Sequence, residues 1–471
     1  MEEIIKNLVI DLFNNIQSAA FMARIQFAVT AIIHFIFPPL TIGLSLFVAV
    51  IETVYAFTKN EKYRIMTKFW GRLFLINFAV GVVTGIVMEF EFGMNWARFS
   101  SYVGDIFGVP LAIEVLLAFF MESVFIGLWI FGWDKFHRGV HALFIWLVSI
   151  GTIASSLWIL VANAFMQEPA GFVVRNGRAE LVDFLAILTT PQVSLQFWHT
   201  LFASFCTAAF FIIGICAYHF WRKSNDIEVY KTSFKLASLY GLIGMVGVLW
   251  YGHFMADHII EAQPMKMAAM EAAWETQDPA PEGLFVITDQ KQNKNYFKLE
   301  IPYGFSLIAY GKLSGPIVGA NDIQRKYEEQ YGKGNYIPPV FITFYAFRAM
   351  VGAGTLMLLI AIFIFVRTFI WGKYNYSAWF LWLLVFCITL PYVANITGWI
   401  VTEVGRQPWM VQGLMLTQNA TSQSVSCIDI WISLIVLGTF FGILALVDIY
   451  FLWKFSTAGT FDFRKQQEEK K

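Results

Sequence analysis

The sequence predicts an all-α fold: a polytopic membrane helix bundle that crosses the bilayer nine times. Two observations carry that reading. Hydrophobic residues make up 58% of the chain and charged residues only 14%, against about 25% charged in soluble globular chains, so part of the solvent must be lipid. The apolar residues also fall in stretches of at least about 18, enough to cross roughly 30 Å of hydrocarbon.

Those stretches lie at 26–51, 73–96, 110–131, 141–165, 195–220, 234–256, 340–370, 378–401 and 429–453. An odd number puts the termini on opposite sides. One set of connections holds Lys59, Lys62, Arg64, Lys68, Arg72, Lys135, Arg138, Arg222, Lys223, Lys231, Lys235, Arg367 and Lys373. The short members of the other set hold only Arg98, Arg175, Arg178 and Arg406. The positive-inside rule then predicts an external N-terminus and a cytoplasmic C-terminus. Three parts follow: residues 1–257 with six helices, an extracytoplasmic loop over 258–337, and residues 338–471 with three helices and a cytoplasmic tail. A connection as long as the loop is functional more often than structureless. Its run QPMKMAAMEAAWETQ (263–277) is rich in helix formers, which predicts a short helix on the membrane surface. The first 20 residues are expected to form a second, amphipathic interfacial helix.

Several classes are excluded. The net charge is zero, so no basic footprint for nucleic acid exists. The four cysteines, Cys206, Cys216, Cys387 and Cys427, show no paired spacing, which argues against a disulfide framework or an iron–sulfur cluster. The start, MEEIIKNLVIDLF, is acidic, unlike a secretory signal.

Charge inside the spans carries the functional information, because an ionisable group near the bilayer centre costs about 2.5–3.5 kcal/mol on insertion scales. Glu89 and Glu91 close the second stretch, and Glu114 and Glu122 lie in the third. On a regular helix the latter two stand about 80° and about 12 Å apart, so both can face one internal path, with Asp134 following at the cytoplasmic end. Such a ladder of carboxylates suits proton transfer. Seven histidines occur. His137, His141, His219, His253 and His258 fall near predicted span ends and read as interfacial residues. His34 (IIHFIFPP), His199 (LQFWHTLF) and Met350 (FYAFRAMVGAG) sit in apolar runs. Spacing alone does not lift them above ordinary core residues. The predicted topology places these three, with Glu114 and Glu403, towards the outer side. A His and a Met from different helices make a reasonable axial pair for an electron-transferring heme, and Arg348 and Arg406 can pair with its propionates.

Three strings are more specific: TKFWGRLFLINFAVGVVTGIVMEFEFGMNW (67–96), VGDIFGVPLAIEVLLAFFMES (103–123) and GRQPW (405–409). They resemble the heme-carrying subunit, subunit I, of cytochrome bd-type quinol oxidases, and the similarity runs over nearly the whole chain. The resemblance implies a terminal quinol:oxygen oxidoreductase of an aerobic respiratory chain in the bacterial cytoplasmic membrane. Quinol is oxidised at the outer face and O2 reduced to water, with protons drawn from the cytoplasm. It implies a low-spin heme b on His199 and Met350, and a high-spin heme b and a heme d (or a further heme b in its place) on His34 and Glu403. His34 is expected on heme d and Glu403 on the high-spin heme b. Glu114 matches a glutamate beside the oxygen-reducing site, and Glu122 and Asp134 match proton-path acids. Lys266 and Glu271 match quinol-site residues of a Q-loop, here in a short form. Arg24, Arg348 and Arg406 form the expected cofactor-binding set. The implied partners are a second membrane subunit, small single-helix subunits, quinol, O2 and the lipid bilayer. An N-terminal extension before ARIQFAVTAIIH departs from the family pattern and removes no ligand.

The competing reading is a proton-coupled transporter without heme, which explains intramembrane carboxylates and nine helices but neither GRQPW nor the gathered His, Met and Glu. A heme–copper oxidase needs adjacent histidines, and the sequence has no His-His pair.

Overall fold

The computed structural model describes residues 18–460. Nine helical units among them are long and apolar enough to cross a membrane: Ala19–Thr58, Glu61–Met94, Ala97–Phe131, Arg138–Gln167, Pro191–Arg222, Ile227–Ala262, Val340–Ile370, Ala378–Val404 and Cys427–Ala458. They are called the first to ninth spans. The predicted N-terminal interfacial helix falls almost wholly outside the described residues.

Several spans are interrupted, and the sequence explains where. The first consists of Ala19–His34 and Phe37–Thr58. Pro38 and Pro39 open the second helix, where a missing N–H costs nothing, but neither can continue the first. His34 is therefore the last residue of its helix. The third span carries Pro110 and then a π-helical turn over Glu114–Phe119. Such turns commonly mark functional sites. This corrects the regular-helix spacing of Glu114 and Glu122, because a wider turn advances fewer degrees per residue.

The fifth span forms the centre of the bundle. Its middle is buried almost without a gap from Cys206 to Ala217. Small residues let its neighbours approach backbone to backbone, as is common between membrane helices. A Cβ on Gly43 of the first span would lie 2.3 Å from the Ser204 carbonyl oxygen. One on Gly244 of the sixth span would lie 2.8 Å from Cys206 Sγ. The ninth span, by contrast, buries only a stripe of Ile430, Phe441, Asp448 and Ser456.

The described residues are not wholly α-helical. Three antiparallel hairpins occur, Phe172–Arg175 with Arg178–Leu181, Glu282–Asp289 with Lys294–Ile301, and Trp409–Val411 with Met415–Leu416. All belong to connections at the end of the bundle that carries the long loop. Within that loop, the helix expected over 263–277 spans only Pro264–Met270. Ala272 adopts a left-handed conformation (φ 48°), and the Ala273 N–H bonds back to the Ala268 carbonyl, which ends the helix. Nor does the helix lie on a surface: every residue from Met265 to Met270 is buried.

The close approach at Gly43 yields a prediction. Gly43→Val forces a branched side chain into the contact between the first and fifth spans. Overpacking of this kind costs about 1–3 kcal/mol, so the thermal midpoint in detergent is expected to fall, while a matched substitution at Gly442, where a Cβ meets nothing, leaves it in place.

Candidate functional site

Of the side chains singled out by the sequence, His199, Met350, Glu403, Lys266 and Glu271 lie towards the loop end. His199 stands eight residues into the fifth span and Met350 ten into the seventh, about 12 and 15 Å deep at 1.5 Å per residue. Each is half-buried, and each abuts a glycine on a neighbouring span. A Cβ on Gly252 would lie 3.2 Å from His199 Cε1, and one on Gly398 3.1 Å from Met350 Sδ. The His199 Nδ1 atom is buried with no hydrogen-bond partner. His34 repeats the pattern, with a Gly85 Cβ lying 3.3 Å from its Cε1.

The tautomer of His34 follows from its partner. Its Nδ1 lies 2.8 Å from Thr84 Oγ1. That hydroxyl has one hydrogen, and the Val80 and Gly81 carbonyls, each 3.0 Å away, take it. Towards His34 the hydroxyl therefore accepts, so Nδ1 carries the proton and Nε2 keeps a lone pair. This is the arrangement that orients a metal-binding histidine.

Glu403 lies one residue from the end of the eighth span. Its Oε1 accepts from Asn163 Nδ2 at 2.8 Å and Gln167 Nε2 at 3.4 Å, and its Oε2 pairs with Arg406. Arg406 also donates to the carbonyls of Trp409 and Met410, so the GRQPW turn holds the arginine against the carboxylate.

The loop helix bridges two spans. Lys266 is 4% exposed and donates to Gln167 Oε1 at 2.7 Å. Burial, then the nearby Arg406, lower its pKa to about 7, with Glu403 opposing. Glu271 turns the other way and accepts from Arg348 at 2.5 Å, while Arg348 also meets Glu282 at 2.9 Å. Burial raises the Glu271 pKa to about 7, with Arg348 opposing and Glu282 adding to the rise. Arg348 is two residues from Met350, so on the helix the two side chains stand about 200° apart and the ion pair meets the seventh span on a different face from Met350. Lys266 and Glu271 thus do not share one pocket; they anchor opposite faces of one helix.

The carboxylates of the ladder each meet a separate partner. Glu114 accepts from Ser155 Oγ at 2.6 Å. Glu122 is 5% exposed, tight against Gly151, whose Cβ would lie 2.6 Å from Glu122 Cγ. Asp134 is at the far end, exposed and bonded to Arg64 at 3.2 Å. Arg24 is half-buried ten residues before His34, about 15 Å along the same helix, so the two do not meet.

Sequence reasoning missed a cluster between Asp134 and Glu122. Glu52 (1% exposed) and His141 (3%) are paired through His141 Nδ1. Trp129 Nε1 donates to the other Glu52 oxygen at 2.6 Å, and His141 Nε2 faces the Trp129 carbonyl at 2.9 Å. A carbonyl only accepts, so Nε2 carries a proton. A second proton must then lie between Nδ1 and the carboxylate. The usable signal was Glu52 itself, a carboxylate in a span that was passed over.

A nine-span bundle with half-buried histidine, methionine and carboxylate side chains towards one end defines the class, a polytopic membrane protein. The chain belongs to the family described as cytochrome bd terminal oxidase subunit I, whose model matches residues 22–460. It is 51% identical to cytochrome bd ubiquinol oxidase subunit 1 of Bacillus subtilis, over 91% of this chain and 92% of that one. It is 35% identical to cytochrome bd-II ubiquinol oxidase subunit 1 of Escherichia coli, over 95% and 98%. The bd oxidase structure from Geobacillus thermodenitrificans superposes with a TM-score of 0.83 at 29% identity, covering 94% of this chain and 99% of that one. The family implies heme cofactors and a second subunit.

Breaking the buried Glu52–His141 pair leaves an uncompensated charge or donor, which typically costs about 3–5 kcal/mol. Glu52→Leu is expected to lower the thermal midpoint markedly. The Glu52→Leu/His141→Leu double variant should recover part of that loss, and a double-mutant cycle on purified protein checks both.

Proposed function

We propose that this chain is the heme-carrying subunit of a quinol:oxygen oxidoreductase in the bacterial cytoplasmic membrane. Quinol is oxidised at the loop end, which faces outwards, and protons for water enter from the opposite, cytoplasmic end. The observation that carries the reading is the layer formed by His34, His199 and Met350, each pressed against a glycine on a neighbouring span. A Cβ at those glycines would crowd Met350 Sδ and the ring edges of His34 and His199, whereas glycine leaves room beside the atoms that would hold a flat cofactor.

His199 and Met350 would hold a low-spin heme b, and His34 and Glu403 the high-spin pair, with heme d or a further heme b as the third group. When bound, these hemes supply the one-electron redox chemistry and the oxygen-binding iron. The chain supplies the rest. Thr84 sets the His34 tautomer, and Arg406 and Asn163 hold Glu403 as an anion. Arg348, which Glu271 and Glu282 hold in place, would pair with a propionate. Glu271 and Lys266, in their basic forms, can take the two quinol protons. Glu122 and Glu114 relay protons inwards, with Asp134 and the proton shared by Glu52 and His141 on the cytoplasmic side. Charge separation then follows from sidedness alone. The partner is a second membrane subunit, with quinol and O2 as substrates. Small single-helix subunits belong to the same expectation.

The dithionite-reduced minus air-oxidised spectrum of the purified complex tests the reading. Heme b bands are expected, with a red-shifted chlorin band where heme d is present. Folded protein without heme absorption would return the transporter reading. Thr84→Val removes the acceptor that orients His34; such partners typically contribute 10–100-fold to metal affinity, so the high-spin signal should fall while the low-spin bands persist.

The quinol site has a pH signature. Glu271 accepts a proton only when ionised and Lys266 only when neutral, and both basic forms grow in as pH rises through about 7. The value of kcat/KM for quinol should therefore rise through that range, since it reports free-enzyme groups. Glu271→Gln is expected to lower it about 10²–10⁴-fold, the usual contribution of a general base, and to flatten the rise.

A further inference from the structure

The fourth span ends on Gln167, which is 1% exposed. Its side chain has two ends facing two different parts of the molecule. The Oε1 atom accepts from Lys266 Nζ at 2.7 Å and from Gln263 Nε2 at 3.1 Å. The Nε2 atom points at Glu403 Oε1 and the Thr402 carbonyl, 3.4 Å from each. The Gln167 backbone carbonyl takes a further bond from Gln263 Nε2 at 2.7 Å. An amide has one accepting end and one donating end. In this orientation it meets an ammonium on one side and a carboxylate on the other. Flipped, it would set its NH2 against the ammonium and its oxygen against the carboxylate, so the contacts fix its direction.

We infer that Gln167 is a positioning residue that ties the quinol loop to the high-spin heme ligand, holding Lys266 and Glu403 in a single frame. The inference rests on the roles given above to Lys266 and Glu403. The neighbouring amides do not duplicate it. Asn163, one turn earlier, donates to the same Glu403 oxygen at 2.8 Å, but its own oxygen is taken by Gln196 at 2.9 Å, and that chain continues to Gln192 rather than to the loop. Nor is there room for a substitute side chain. A Cβ on Gly405 would lie 2.8 Å from Lys266 Cγ, so the loop helix packs directly on the backbone following Glu403. The cavity beside Lys266, Gln263 and Arg406 measures about 10 Å³, the size of a single water.

Two variants of the intact complex separate this role from plain stabilisation. Gln167→Leu keeps the bulk and removes both contacts. The KM for quinol should rise roughly tenfold, as for a buried charge deprived of its partner, and the high-spin heme should shift in a spectroelectrochemical titration. Gln167→Glu keeps an acceptor for Lys266 but sets a second carboxylate against Glu403. Its KM should stay within about twofold of wild type, while the high-spin titration shifts and the low-spin one does not. Loosened packing would not produce that split. The proposal is overturned if both variants titrate like wild type, or if Gln167→Glu raises KM as much as Gln167→Leu. Controls identify a failure of the underlying roles. Lys266→Met with a normal KM would remove the quinol assignment and the loop half of the tie. Glu403→Ala with an intact high-spin spectrum would remove the ligand assignment and the proposal with it.

Discussion

The anion at Glu403 and the cation at Arg406 are held together at the end of the eighth span, and much of the loop end is arranged around that pair. No water inside a bilayer can solvate such groups, so the bundle itself must supply every partner. Arg406 meets its need through two backbone carbonyls in the turn that follows. Glu403 meets its own through amides from the fourth span. The same solution recurs at Glu271 with Arg348 and at Glu52 with His141. Glu271 and Glu52 are each buried with a matched neighbour on a different element. Such pairs specify which elements meet more than they add to stability.

Helix irregularity is the second device. An unbroken helix would satisfy its backbone but fix every side chain on a regular spiral. Here the breaks coincide with side chains of interest. His34 ends a helix because Pro38 and Pro39 open the next, and Glu114 begins a π-helical turn four residues after Pro110. A proline frees a carbonyl of the preceding turn, and a wider turn re-aims the residues within it. Glycines do the complementary work: Gly85, Gly252 and Gly398 bring flat backbone against His34, His199 and Met350, where any larger residue would displace the ring or the thioether.

The spans were legible because apolar length is a local property, and the candidate ligands because of the motifs around them. Long-range partners were not. Glu52 and His141 are 89 residues apart, and nothing in either neighbourhood names the other. His141 in particular looked like an interfacial residue because its chain position is near a helix start; its burial depends on Trp129 and Trp133 from the third span and the segment just beyond it. The loop helix was placed correctly in sequence but ended at Met270 rather than continuing, since propensity cannot foresee a left-handed Ala272. It was also buried rather than superficial, because its apolar residues pack against the sixth and seventh spans and the loop's own helix Ala320–Tyr331.

The fourth span brings these strands together. His141, Ser149, Thr152, Ser155, Asn163 and Gln167 all lie on it, and at 100° per residue they fall within about a 120° face. Together they meet a series of polar groups from other elements. His141 takes Glu52, Ser149 and Thr152 take Ser45, Ser155 takes Glu114, Asn163 takes Glu403, and Gln167 takes both Glu403 and Lys266. One helix face therefore touches every level from the end bearing His141 to the long loop. A rigid helix transmits position along its length. The separation between Glu52 at one end and Glu403 at the other is thus set by the pitch of this span, and not by the loops around it.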